Sequence, residues 1–291
     1  MHTYLESVGF RKIRSRREMD RLVSQTVLNF DEKNLFTDDD GRMIGEFSRD
    51  FAPDMGMTVC GEFDEKGDFH PDYSFPYLRG NAVTSYEEIN LERHADKQSF
   101  AGAVDDPRVG ITLIFYLINM GEVLCKHGRV SPNDKFDAVR FTGLAREGKI
   151  ILPAVKNEWW EKESRKNIQE HIKLVSAAKY GDEEAIENLT MEDIDAYSQI
   201  QQRIAKEDVF SIVDTNFMPF GIECDQYTVV GIIQEVQKTQ NSLSGEEIWR
   251  MELSVCDMVM DVCINADRLI GEPEVGRRFR GQIWLQGEVC L

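Results

Sequence analysis

The chain is short of the residues that write chemistry into a sequence. It has five histidines, none in H-x-x-x-H or H-E-x-x-H spacing, and six cysteines with no C-x-x-C pair. No metal site, disulfide framework or redox motif is therefore indicated. Cys60, Cys125, Cys224, Cys256, Cys263 and Cys290 read as reduced, mostly buried small hydrophobes. No G-x-S-x-G elbow, G-x-G-x-x-G fingerprint or cysteine-nucleophile signature is present, so no cofactor is expected and no catalytic residue can be named. Whether the chain is an enzyme stays open, because carboxylates brought together by folding leave no linear trace.

Long apolar runs are missing too. The longest, ITLIFYLI from Ile111 to Ile118, is far short of the ~20 residues a membrane helix needs. The start, MHTYLESVGFRKIRSRREMD, lacks the apolar centre of a signal peptide. These features point to the cytoplasm and to no membrane partner. Bases are scarce relative to acids, 34 Lys and Arg against 52 Asp and Glu, a formal charge of -18 over 291 residues. Such a field repels phosphate backbones at long range, so nucleic acid is disfavoured as a partner unless a local patch overrides it.

Two near-motifs fail on context. GLAREGK, Gly143 to Lys149, matches G-x-x-x-x-G-K, but Ile150 follows where a Ser or Thr would hold magnesium. KIILP beyond it reads as a strand, so the segment is taken as a hairpin turning at Arg146–Lys149. Asp38-Asp39-Asp40-Gly41 has the composition of a calcium loop and the wrong spacing, with Phe36 at the first ligand position.

What is present is a domain plan, since 291 residues exceed one typical core. Ser15-Arg16-Arg17-Glu18 is a capping box, and Met19, Leu22, Val23, Thr26, Val27 and Phe30 recur behind it at helical spacing. The bases Arg11 to Arg21 crowd that helix start, where the dipole prefers acids, which points to a partner for these charges, an acidic face elsewhere on this protein before any other. From Met43 the text alternates with period two, GMTVCGEF and DFHPDYSF flanking a turn at Asp64–Gly67. Residues 1–156 thus read as an α+β domain, a mostly antiparallel sheet with a covering helix. Residues 157–208 read as a helical connector with an acid-rich run between Gly181 and Asp195. Residues 209–291 carry five strand candidates, from VFSIVDTNF to RFRGQIWLQGEV, and read as a small antiparallel, OB-like β-barrel.

Several long stretches look familiar together: YEEINLERHADKQSFAG with GITLIFYLIN, GDEEAIENLTMEDIDAYSQIQQRI, EDVFSIVDTNFMPFGIECDQYTVVG and INADRLIGEPEVGRRFRGQIWLQG. Over nearly its whole length the chain resembles a family of uncharacterised proteins from anaerobic Gram-positive bacteria, classed as a domain of unknown function. The resemblance implies a bacterial cytosolic protein. It implies no activity, cofactor or site residue.

The last strand splits by parity. Phe279, Gly281, Ile283, Leu285, Gly287, Val289 and Leu291 form a core face; Arg278, Arg280, Gln282, Trp284, Gln286 and Glu288 form the other. Arg278, Arg280, Trp284 and Gln286 are the candidate ligand-binding residues, a stacking platform with cationic donors. The competing reading is that the rest of the chain covers this face, making Trp284 interdomain packing. Three functions remain. The leading one is a non-catalytic binding or regulatory module acting through contacts with a protein partner. The others are a nucleic-acid or nucleotide binder using the Arg/Trp face, and an enzyme with an interdomain site near His94.

Overall fold

The computed structural model describes residues 3–38, 41–93, 99–128, 130, 134–153, 215–222 and 224–291. The helical connector, His94 and the acid-rich run from Gly181 to Asp195 lie outside the described residues. The architecture is α+β: an antiparallel sheet near the amino terminus and a closed barrel toward the carboxy terminus.

A 3-10 turn at Thr3–Val8 leads into α1 (Arg16–Leu28). The capping box forms as its residue types dictate, with Glu18 N–H donating to Ser15 Oγ and Ser15 N–H to Glu18 Oε2. Strands β1 (Glu32–Thr37), β2 (Met43–Ala52), β3 (Met55–Phe63) and β4 (Phe69–Leu78) make a four-stranded antiparallel meander. The β3–β4 turn falls at Asp64–Gly67, where Gly67 adopts φ +85 and Asp64 Oδ1 accepts from Lys66 and Asp68 N–H. β5 (Ile89–Arg93), β6 (Phe100–Asp106) and β7 (Ile111–Leu117) follow, then α2 (Met120–His127) and β8 (Val139–Ile151). The remaining strands are β9 (Asn216–Pro219), β10 (Gln226–Gln240), β11 (Glu247–Val255), β12 (Met258–Asn265), β13 (Leu269–Ile270) and β14 (Arg278–Val289).

The barrel closes through β8-β12-β11-β10-β14 and back to β8, antiparallel except for the parallel pair β12–β8. Two features of the sequence reading are corrected. Arg146–Lys149 is not a hairpin turn: β8 runs through it, with a bulge opposite Gln282/Ile283, and Gly148 leaves room for Phe279. The barrel's fifth wall is this β8, placed by the sequence among residues 1–156, whereas the described end of the candidate VFSIVDTNF, Asn216 and Phe217, begins β9, which pairs with β10 outside the ring. Strands β7, β6 and β5 extend the same sheet from β14.

Inside the barrel, Phe141, Met251, Leu253, Met260, Val262, Phe279, Ile283 and Leu285 are all buried, as the parity of β14 requires. The outer wall is buried as well. Leu144, Ile248, Cys263 and Trp284 pack against Tyr4, Leu5, Val8, Phe75 and Leu78. Its polar side chains are met one by one. Thr142 Oγ1 donates to Leu78 O (2.8 Å), Gln286 Nε2 donates to Pro76 O (2.7 Å), and Leu78 N–H donates to Gln286 Oε1 (3.1 Å). Arg250 bridges Asp261 (3.2 Å) and Asp54 (2.8 Å) while donating to Arg79 O. A mixed wall can be buried only if its hydrogen bonds are completed in this way.

Trp284 stacks on Tyr4 at 5.6 Å, meets Tyr116 at 4.9 Å and donates Nε1–H to Asp225 at 2.7 Å. Truncating it removes most of the aromatic seam. Trp284→Ala should lose roughly 3–5 kcal/mol in urea unfolding, and the half-buried Trp249→Ala distinctly less; equal losses would contradict the seam.

Candidate functional site

The four-stranded sheet has two faces. Register pairs Asn34 with Glu46, Glu46 with Cys60, and Ser48 with both Glu32 and Thr58, so these side chains share one face with Tyr73, Phe75 and Tyr77. Phe47, Met57 and Val59 take the opposite face, toward α1. Most of this polar face is shielded from water, Glu32 at its edge being exposed. Part of it packs on the barrel, and the rest forms one wall of a cleft of about 410 Å³ closed by the β7–α2 junction and the end of β14. Glu32, Asn34, Glu46, Ser48, Thr58 and Arg79 line one side, Ile118, Asn119, Glu122 and Glu288 the other.

Glu46 lies at the floor, 3% exposed. Its Oε1 accepts from Asn34 Nδ2 (3.1 Å) and its Oε2 from Gly121 N–H (3.3 Å), with Cys60 Sγ at 4.0 Å. The approach of α2 depends on Gly121: a Cβ there would sit 2.4 Å from Glu46 Oε1 and 2.7 Å from Asn34 Cβ. Among the described residues no cation pairs with this carboxylate. Burial pushes its pKa up to about 7, against the lowering hydrogen bonds from Asn34 and Gly121.

The neighbours differ. Burial also raises Glu288, although Arg140 stands 3.3 Å away. Burial opposes ionisation of Glu122 too, but hydrogen bonds from Lys126 and Asn119 hold it below the ordinary range. Arg79 is shared between Glu32 (2.8 Å) and Asp50 (3.0 Å), with its guanidinium 4.5 Å from the Tyr77 ring centre. Tyr77 O–H donates to the same Asp50. Ser48 and Thr58 hydroxyls share one hydrogen bond (2.8 Å) in which either can donate, so the pair holds one more hydroxyl hydrogen than that contact uses.

The residues proposed from the sequence do not assemble an open site. Trp284 and Gln286 are covered by the 3-10 turn and β4, and Arg278 is buried with Nε donating to Leu152 O. Arg280 is half-buried farther along β14. The arrangement at Trp284 is the packing alternative raised by the sequence. Glu46 and its cleft were missed because E-F-S-R-D in β2 reads as a solvated alternate face; one acid in a chain with 52 acids carries no mark. Among the described residues no cluster of His, Cys, Asp or Glu is arranged to hold a metal, and no helix is long and apolar enough to cross a membrane.

Fold and cleft together define an α+β protein with a small closed barrel and a polar pocket beside it. The chain belongs to the DUF3881 family, described as a domain of unknown function from an E. rectale gene, whose profile matches residues 5–287. No curated protein and no solved structure matches the chain.

The raised Glu46 carboxyl sets a pH dependence. Between its unfolded value of 4.5 and its folded value of about 7, the folded chain holds the extra proton, so stability falls as pH rises through this window and levels above it. Relative to wild type, Glu46→Gln should gain on the order of 3 kcal/mol between about pH 5 and pH 8 in urea unfolding. Parallel pH profiles for the two proteins would contradict a buried, ionising Glu46.

Proposed function

We propose that the protein is a non-catalytic binding module that takes one small polar molecule in the cleft and conveys its presence to a protein partner. The observation that supports this is Glu46, a buried carboxylate without a counter-ion at the floor of a pocket large enough for a metabolite-sized ligand. A side chain serving stability alone is favoured there as a hydrophobe or an ion pair, because an uncompensated buried charge costs stability. The described lining offers carboxylates, amides, hydroxyls and the paired Arg79, and among these described residues no nucleophile stands beside a base, which supports binding over turnover. The nucleotide-binding alternative loses its stacking platform with Trp284 buried.

A thermal-shift screen of small polar metabolites tests the reading, run beside Ser48→Leu, which fills the cleft. Ligands that raise the melting temperature of the wild type by several degrees and leave Ser48→Leu unmoved support it. Stabilisers that act equally on both proteins place binding elsewhere, and conversion of a hit into product makes the protein an enzyme instead.

A further inference from the structure

We infer that the cleft takes a small organic cation, whose ammonium group seats against the buried Glu46 carboxylate. This rests on the reading of the cleft as a ligand site and names the class of ligand.

Charge decides the class. Glu32, Glu46, Glu122 and Glu288 line the cleft, and the basic residues beside them are Arg79 and Lys33. Arg79 is spent on Glu32 and Asp50. Lys33 stands opposite Phe47 in the β1–β2 register and places its ammonium over that ring at 5.6 Å, on the face of the sheet away from Glu46. Lys126 and Arg140 are likewise engaged by Glu122 and Glu288, so among the described residues an anionic ligand would meet carboxylates whose cations are already paired. A neutral ligand would leave Glu46 uncompensated. An ammonium supplies the missing counter-charge, and Glu46 Oε1, holding a single hydrogen bond from Asn34 Nδ2, has a lone pair left for it, whereas Oε2 already accepts from Gly121 N–H and Cys60 Sγ.

The same wall, one pairing along from Glu46, narrows the class further. The Ser48–Thr58 pair keeps one hydroxyl hydrogen for an acceptor, and with Ser48 8% and Thr58 1% exposed water has little access to either hydroxyl. A ligand with an ammonium at one end and a hydroxyl farther along its chain meets both the Glu46 carboxylate and the neighbouring Ser48–Thr58 pair.

Binding is linked to protons. Burial keeps Glu46 largely protonated below about pH 7. When the cation seats, the carboxyl proton leaves to solvent and a carboxylate–ammonium pair replaces it. The groups facing Glu46 are Glu32 from β1, Cys60 from β3, Tyr73 and Arg79 from the β4 side, Tyr116 from β7, Glu122 from α2 and Glu288 from β14. Burial pushes the Cys60, Tyr73 and Tyr116 protons far above neutrality, and Arg79 stays charged, so none of these titrates in the window. Burial raises Glu288, and its direction reinforces that of Glu46.

The test is calorimetric titration of the full chain with four chains of matched length: 4-aminobutan-1-ol, putrescine, 1,4-butanediol and succinate. The amines should bind and the diol and succinate should not. Amine affinity should rise by up to about tenfold per pH unit below pH 7 and level off above it, with a heat that tracks buffer ionisation as the proton is released. Glu46→Gln should remain folded, lose at least about tenfold in amine affinity and lose the pH slope, while Lys33→Ala binds as wild type. Amine binding unchanged in Glu46→Gln, or succinate binding more tightly than the amines, overturns the inference. If only the diol or succinate binds, and Ser48→Leu abolishes it, the cleft is a ligand site and the cationic class is wrong. If none of the four binds at millimolar concentration, the cationic class falls, and the metabolite screen decides the cleft separately.

Discussion

The outer wall of the barrel is too mixed to face water alone and too polar to be buried casually. Thr142, Arg250, Asp261, Trp284 and Gln286 project from it; Trp284 is completed by Tyr4 of the 3-10 turn, Tyr116 and Asp225, and the others by β4, by the segment that follows it or by the Asp54 turn. Everything else in the arrangement depends on this junction. It fixes where the four-stranded sheet lies, and the sheet in turn seats α1 and the 3-10 turn. The apolar share of the junction contributes the bulk of the stabilisation; the hydrogen bonds set its register, because a buried amide such as Gln286 costs roughly 1–3 kcal/mol when left unpaired.

The cleft is a consequence of that placement. The sheet reaches beyond the barrel wall at its β1–β2 side, and its polar face there is met by the first turn of α2 instead of by strands. Gly121 lets the helix backbone come close enough to donate to Glu46, and the lack of a side chain at that position leaves the carboxylate room. Asn119 ties the same turn to β14, donating to Val289 O and accepting from Val289 N–H. Two separately anchored surfaces therefore face each other across a pocket whose polar groups are held by hydrogen bonds already made elsewhere, which is how a binding site is preorganised.

Much of this was legible locally. The capping box at Ser15, the turn at Asp64–Gly67, the apolar strand at Ile111 and the inward parity of β14 all follow from residue types acting on their near neighbours. What could not be read was long-range. The bulged passage through Arg146–Lys149 resembles a turn until Phe279 is placed against Gly148, more than a hundred residues away. The role of β8 as a barrel wall likewise depends on a parallel pairing with β12, which no short pattern announces. Trp284 beside arginines reads equally well as a platform or as packing, and only the covering Tyr4 and Tyr116 separate the two. Glu46 gave no signal because its environment, not its spacing, makes it unusual.

The junction between sheet and barrel is tested most directly by hydrogen exchange at one amide, that of Leu78, which donates to Gln286 Oε1 across it. Its protection should equal that of barrel amides such as Leu253 and Leu285, so that all three exchange only with global unfolding. Exchange at Leu78 orders of magnitude faster than at those two would mean that the sheet does not rest on the barrel wall, and the cleft beside it would lose its fixed side.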